Sequence, residues 1–360
     1  FVALDGTGNI YVCGESDGGS INHTDILTAK YDAAGNLLWS VSYNTTLYNQ
    51  NDVPLGMVVD QNGNVFITGN TDRDSSIAGL NDDIITLKYN TSGVQQWARI
   101  YTGSGNGTDR GTAVATDNSG GCVITGRTFN GNNDDAITIK YNAAGAEVFN
   151  ALFDRGLTGN DRGEAITIDL IGNIYVAGRS SNNNDDDFLT IKYNAIGNVL
   201  FAVYYNNVDN DRASLIALDA FGNIIVAGQS DRIGGGNINY DYCTVKYTSN
   251  GVFRWVRFLG NAVNNDEDPH ALATDASGSI FVTGKSDQNA LAAATYNDFL
   301  TAKYDSAGTL TWSVTAAGSA TNSDDIAEGM SFIGSDLYVC GSKQNTGTQK
   351  DATLIKYTSN

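Results

Sequence analysis

The sequence predicts an all-β fold, a seven-bladed β-propeller with four antiparallel strands per blade. Three observations lead there: a phrase ending in glycine recurs seven times, a second phrase ending in Lys-Tyr follows each copy, and turn residues cut each copy into four short strands. The first phrase runs GNIYVCG from Gly8, GNVFITG from Gly63, GGCVITG from Gly120, GNIYVAG from Gly172, GNIIVAG from Gly222, GSIFVTG from Gly278 and SDLYVCG from Ser335. Its closing glycines, Gly14 to Gly341, span 327 residues in six steps, a mean period of 54.5.

The second phrase ends at Lys30, Lys88, Lys140, Lys192, Lys246, Lys303 and Lys356, each followed by Tyr. Five residues before each Lys stands Asp25, Asp83, Asp135, Asp187, Asp241, Asp298 or Asp351. Five residues after it, in the six copies that continue, comes a glycine, and four further on an aromatic: Trp39, Trp97, Phe149, Phe201, Trp255 and Trp312. Offsets held this rigidly across the chain mark one structural unit repeated.

Each copy divides into strands a to d. In the fourth, strand a is AITID, the tight turn Asp-x-x-Gly-Asn leads to strand b, IYVAG, an Asn/Asp loop leads to strand c, DFLTIKY, and a short glycine turn leads to strand d, VLFAVYY. Strand c alternates Phe188, Thr190, Lys192 with Leu189, Ile191, Tyr193, so both faces carry bulk, as a sheet packed between neighbours requires. Helical periodicity is absent, and 2 prolines against 41 glycines suit many tight turns. The repeats fall at 1–48, 49–105, 106–157, 158–207, 208–262, 263–320 and 321–360 of a single propeller domain. Seven full copies need roughly 380 residues at this period, and the sequence stops at Asn360, one residue before the next expected glycine. The last blade is therefore expected to lack its outer strand, which residues after 360 or before 1 would supply in a longer chain.

These offsets resemble the bacterial SBBP-type β-propeller repeats: the strand-a Asp, GN-[IV]-[YF]-V-[TA]-G, D-x4-KY and G-x3-W as quoted above. The resemblance covers essentially the whole chain, with small departures. Copy 7 has Phe332 at the strand-a Asp position and Ser335-Asp336 for the GN pair, and two copies have Phe for Trp. It implies an extracellular or cell-surface protein, often large and multidomain, with no shared enzymatic activity.

Composition excludes some partners. With 21 Lys and Arg against 40 Asp and Glu, the net charge is −19, the wrong sign for holding nucleic acid or an anionic membrane. No apolar run is long enough to span a bilayer as a helix. Phe1 opens directly on a strand, which reads as a processed or partial chain. Cys13, Cys122, Cys243 and Cys340 show no metal-ligand spacing and are expected as buried free thiols.

The repeated Asp and Lys invite a catalytic reading, but near-identical copies argue for construction, since an enzyme needs one asymmetric site. Each Lys is expected to pair with the strand-a turn Asp of its blade: Asp5, Asp60, Asp117, Asp169, Asp219 or Asp275. Eight residues before each turn position lies another acid: Asp52, Asp109, Asp161, Asp211, Glu267 and Asp324. By analogy with other propellers these enter the innermost strand. They could form a carboxylate ring at a channel mouth for Ca2+, or simply cap backbone N–H groups. The template supplies 19 of the 40 acids, so nearly half the acidity is architecture. All four Trp occupy the strand-d position and are expected in the core. His23 and His270 have no repeated or chelating partner in the sequence, and no catalytic cofactor is implied.

Variation between copies concentrates in the b-to-c loops, NTDRDSSIAGLNDD, RSSNNNDDD, QSDRIGGGNINYD and KSDQNALAAATYND. Loops that vary on a rigid frame carry recognition. The expected function is a non-catalytic, adhesion-like scaffold or binding module using that face, with other domains, protein subunits or glycan as partners. The alternatives are a purely structural subunit or spacer in a larger assembly, and a hydrolase or lyase at the channel mouth. An enzyme would need one copy to break the template with a cluster of His, Glu, Arg or Tyr, and the sequence shows none.

Overall fold

A computed structural model of the chain describes residues 1–17, 23–44, 51–72, 81–117, 119–156, 158–182, 185–232, 240–260, 266–287, 297–318, 324–345 and 350–358. The fold is a seven-bladed β-propeller, without helices among the described residues. Six sheets have four antiparallel strands in the order a-b-c-d, and the last has three. Contacts gather the chain into two compact units, one running from Phe1 to Val176 and the other mainly from Phe201 onward, with the fourth blade divided between them.

Blade 5 shows the construction. Strands Asp211–Leu218, Ile224–Asp231, Tyr240–Tyr247 and Phe253–Leu259 pair consecutively. A bulge between Ala213 and Leu215 sets Ser214 outside the ladder, and a second follows Lys246, which pairs Trp255 while Tyr247 pairs Phe253. Gly228 is required beside the first bulge, because a Cβ there would overlap the Arg212 carbonyl oxygen. The same close approach recurs at Gly69, Gly126, Gly284 and Gly341, which explains the closing glycine of the first phrase in those copies, while Gly14 has open space around it.

The core lies between blades, because alternate side chains of each sheet face opposite neighbours. Within the first unit, Tyr11, Cys13 and Ile26 of blade 1 pack on Val65, Ile67 and Leu87 of blade 2. Within the second, Ile225, Tyr242 and Trp255 of blade 5 pack on Ile280, Val282 and Tyr304 of blade 6. Both faces of the middle strands are therefore apolar. Strand c of blade 2, Asp82–Tyr89, is buried along its whole length.

Two expectations need correction in blade 7, whose strands are Ile326–Ile333, Asp336–Gln344 and Lys350–Tyr357. Ile333 pairs directly with Asp336 across Gly334 and Ser335, and Ala327 pairs with Gly341. The a-to-b turn is thus one residue shorter than in blade 5, where Leu218 pairs with Ile224. Counting back from the strand-b glycine therefore misplaces strand a by one. Cys340, expected to be buried, is exposed. Val339 and Leu337 of the same strand point into the blade 6 cluster, which turns Cys340 to the opposite face. Cys13, Cys122 and Cys243 are buried free thiols as expected.

Candidate functional site

The turn aspartates build their own hairpins. Asp219 Oδ1 accepts the N–H groups of Phe221 and Asn223, and Oδ2 accepts the Asn223 amide. These donors hold the Asp219 carboxyl below the usual carboxylate range against the opposing effect of burial. Asp5, Asp60, Asp117, Asp169 and Asp275 make the same two backbone bonds. Sequence reasoning missed a second set of identical caps one residue after each Lys-Tyr, at Asp32, Asn90, Asn142, Asn194, Thr248 and Asp305 in the c-to-d turns.

The lysines reach two partners. Lys30, Lys140 and Lys246 approach Asp5, Asp117 and Asp219 at 3.6, 3.3 and 2.9 Å. Where strand b offers an aromatic, Lys30, Lys88, Lys192 and Lys303 also lie over Tyr11, Phe66, Tyr175 and Phe281 at 4.8 to 5.1 Å. The ammonium then crosses to the c-to-d turn of the following blade: Lys88 donates to the Ala143 carbonyl at 3.1 Å and Lys246 to that of Ser306 at 3.1 Å. Indole N–H groups converge on the same oxygens, Trp97 Nε1 on Ala143 O at 3.2 Å and Trp255 Nε1 on Ser306 O at 3.5 Å. Trp39 and Lys30 do likewise at Thr91. The repeated Lys and aromatic therefore form a clasp between consecutive blades.

The copy-7 lysine departs from this pattern. Lys356 bonds Asp336 at 2.6 Å, and Trp312 stacks on Tyr357 at 5.4 Å. Trp39, Trp97, Phe149, Phe201 and Trp255 each carry the glycine of the next blade's turn against the ring: Gly93, Gly145, Gly197, Gly251 and Gly308. At Trp312 a cavity of about 440 Å³ takes that place, lined among others by Asp275, Phe281, Lys303, Trp312 and Tyr357.

The loop-to-strand carboxylates sit buried at blade corners. Asp52, Asp109, Asp211 and Glu267 have no exposure and Asp161 has 1%. Asp109 accepts Phe129 N–H and the Thr128 hydroxyl on Oδ1, and Gly103 N–H on Oδ2. Asp161 and Asp211 accept Arg155 and Asn207 N–H groups, and Glu267 the Ser286 hydroxyl. Burial raises the carboxyls of Asp161 and Asp211, that of Asp211 to about 7. In copy 7 the position belongs to Asp325, not Asp324: Asp325 is 1% exposed and accepts Gly318 and Gln344 N–H groups. The short blade 7 turn accounts for the difference.

Asp324 does another job, shared with the residue before each corner acid. Its Oδ1 accepts Asn297 N–H, as Asn51, Asn160, Asn210 and Asp266 accept those of Thr24, Asp134, Asp186 and Tyr240. Each ties the start of strand c to the following blade.

The acids five before Lys occupy the same corners. Asp25, Asp83, Asp135, Asp187 and Asp241 are buried, while Asp298 is half-buried and Asp351 exposed. Asp135 accepts the Asn130 amide, Asp187 that of Asn206 and Asp241 the Arg232 guanidinium. Asp134, one residue earlier, is clamped by Arg127 at 2.6 Å and Arg162 at 2.7 Å, and Asp186 by Arg179 and Arg212 at 3.2 Å each. These Arg clamps have no local signature in the repeat, because their members come from different strands.

One cluster does break the template. His270, at the bulge of strand a in blade 6, has Nδ1 at 3.0 Å from Glu328 and Nε2 at 3.5 Å from Asp268, with Lys285 at 3.9 Å from Asp268. Hydrogen bonding to Asp268 raises the His270 imidazole above its ordinary value against the effect of burial. Glu328 is 58 residues away in the next blade's bulge, so no local motif could reveal the pair. His23 is half-buried beside Thr24. The central parts of the variable loops, 73–80, 183–184, 233–239 and 288–296, lie outside the described residues.

Residues 48–74 match the family described as SBBP: Beta-propeller repeat. No curated protein sequence matches the chain. Among solved structures, the polysaccharide lyase Uly1 is similar at 11% identity and a TM-score of 0.56, over 99% of this chain and 88% of that one. Chaetomium thermophilum Sqt1 bound to the N-terminus of the ribosomal protein L10 is similar at 10% identity and 0.52, over 93% and 79%. YCF48 bound to D1 peptide is similar at 10% identity and 0.51, over 100% and 93%. At these identities the likeness concerns the fold alone. With the clasp repeated between consecutive blades, the chain is a seven-bladed β-propeller in which residues 48–74 match the SBBP β-propeller repeat.

Proposed function

We propose that the chain is a non-catalytic scaffold that binds a macromolecular partner, polypeptide before glycan, through its b-to-c and d-to-a loops, at a bacterial cell surface or outside the cell. The observation that carries this reading is the clasp: the repeated Lys, Asp and aromatic side chains are engaged in holding blades together, which leaves recognition to the loops on that frame. Peptide-bound structures of similar fold are consistent with a polypeptide partner.

The test has a catalytic and a binding arm. The full chain is assayed for cleavage of uronate polysaccharides and of peptides, with His270→Ala as control, and no turnover is expected. Turnover lost in His270→Ala would overturn the reading. For binding, a displayed peptide library is selected on the wild type, then on a variant with residues 233–239 replaced by glycine and serine. Loss of the selected peptides at unchanged Tm supports the loop face, and equal retention argues against it.

The Trp312 cavity favours the second reading, a structural subunit of a larger assembly. Its occupant is proposed to be the fourth strand of blade 7, a glycine turn followed by an aromatic, from residues after 360 or before 1 of a longer chain.

A further inference from the structure

Three carboxylates from three different elements meet where blade 3 joins strand a of blade 4. Asp135 begins strand c of blade 3, Asp134–Tyr141; Asp154 follows its strand d, Glu147–Phe153; and Asp161 begins strand a of blade 4, Asp161–Ile168. One ligand oxygen from each lies within 4.8 Å of the other two. Asp135 and Asp161 are buried and Asp154 is exposed, so the group has two fixed ligands inside and one at the mouth.

Their hydrogen bonds leave the group unfinished. Asn130 Nδ2 donates to Asp135 Oδ1 at 2.9 Å, Gly156 N–H to Asp154 Oδ1 at 2.6 Å and Arg155 N–H to Asp161 Oδ2 at 3.0 Å. Asp161 Oδ1 is buried without a hydrogen bond of normal geometry, and so is the hydroxyl of Ser180 beside it, which has no exposure. In blade 3 the counterpart hydroxyl, Thr128, completes Asp109 at 2.6 Å. An orphaned buried carboxylate oxygen is costly, and Asp211 Oδ1 in the next corner is in the same state.

The sister corners differ in the group that meets the strand-c acid. The residue directly after strand d is Asp154 in blade 3 but Asn206 in blade 4, where its amide donates to Asp187. In blade 5 it is Gly260, and Arg232 reaches Asp241 at 2.8 Å. An amide or a guanidinium thus meets the strand-c acid in those corners, while blade 3 presents a third acid.

We propose that Asp135, Asp154 and Asp161 form a binding site for a hard divalent cation, Ca2+, which supplies the positive charge that Asn206 and Arg232 make unnecessary in the next two corners. Oxygen-only donors suit Ca2+, whose flexible coordination accepts carboxylates, a hydroxyl and water together. The site differs from a ring of corner acids: it uses one of them, Asp161, and takes its other ligands from strands c and d of the preceding blade.

The experiment is a calcium titration of the EDTA-stripped full chain near pH 7.5, followed by calorimetry and thermal unfolding. One Ca2+ per chain is expected, with a rise in Tm of about 2–4 °C or more at saturation and a weaker response to Mg2+. Asp154→Asn, which copies the blade 4 corner, should abolish the calcium response and raise the Tm of the stripped protein. Asp154→Ser should abolish the response without that gain. A wild type whose Tm ignores Ca2+ to about 1 mM, the weak end of extracellular calcium modules, overturns the proposal. So does a calcium response that survives in both variants, which places the ion elsewhere.

Discussion

Gly308 of blade 6 lies against the indole of Trp255 in blade 5, so closely that a Cβ on the glycine would stand 2.7 Å from the ring's Cδ2. The glycine also has φ of +82°, which an L side chain rarely adopts. One residue thus answers two demands, a left-handed turn and a flat face for the neighbouring ring. Gly308→Ala is expected to destabilise by about 2–4 kcal/mol, combining αL strain with overpacking. Urea unfolding measures it, and a loss below about 1 kcal/mol would show that the ring yields freely.

The Trp312 cavity makes a contrasting prediction. Trp255→Ala should cost about 3–5 kcal/mol, as for a buried core aromatic, and half-buried Trp312 less. Fusing a copy of residues 305–316 after Tyr357 should then raise Tm and quench or shift Trp312 fluorescence, and the gain should vanish in Trp312→Ala. A fusion that leaves Tm unchanged refutes the proposed occupant.

Asp211 gives a pH signature with a definite sign. Its carboxyl is raised to about 7 by burial, above the unfolded value of about 3.9, so the folded state binds the extra proton. The stabilisation it brings is fully present below about pH 4 and is lost as pH rises through 7. Asp211→Asn should abolish that loss, gaining on the order of a few kcal/mol above pH 7 and little near pH 4. Equal effects of the substitution at both pH values would contradict this.

His270 behaves in the same direction for another reason. Asp268 and Glu328 favour its charged form, so their contribution is present below the unfolded value of about 6.5 and is lost as pH rises through the raised folded value. Glu328 is 59% exposed, which keeps the energy below about 1 kcal/mol. An NMR titration of His270 should move to lower pH in Glu328→Gln. An unmoved titration would show that the contact carries no charge coupling.

The offsets made the blades legible because bulges and tight turns admit so few residues. Gly228 and Asp219 could be placed from spacing alone, since each position is fixed by backbone overlap or by backbone donors. Asp324 was misplaced for the same reason: one residue deleted from a turn displaces everything counted across it. The Asp134 clamp, the His270–Glu328 contact and the Asp154 corner stayed hidden, because each joins strands far apart in sequence by side chains outside the template.

The clasp also has a consequence for how such a chain grows. Each repeat that keeps the template brings its Lys and aromatic ring together with the turn that the preceding repeat needs. A tandem duplication of any whole period therefore arrives already compatible with both neighbours, needing no compensating substitution at either joint. Copy number can change in one genetic event, and selection acts afterwards on how many copies go round. The corner residues, by contrast, are free to diverge singly, as the third carboxylate of blade 3 shows.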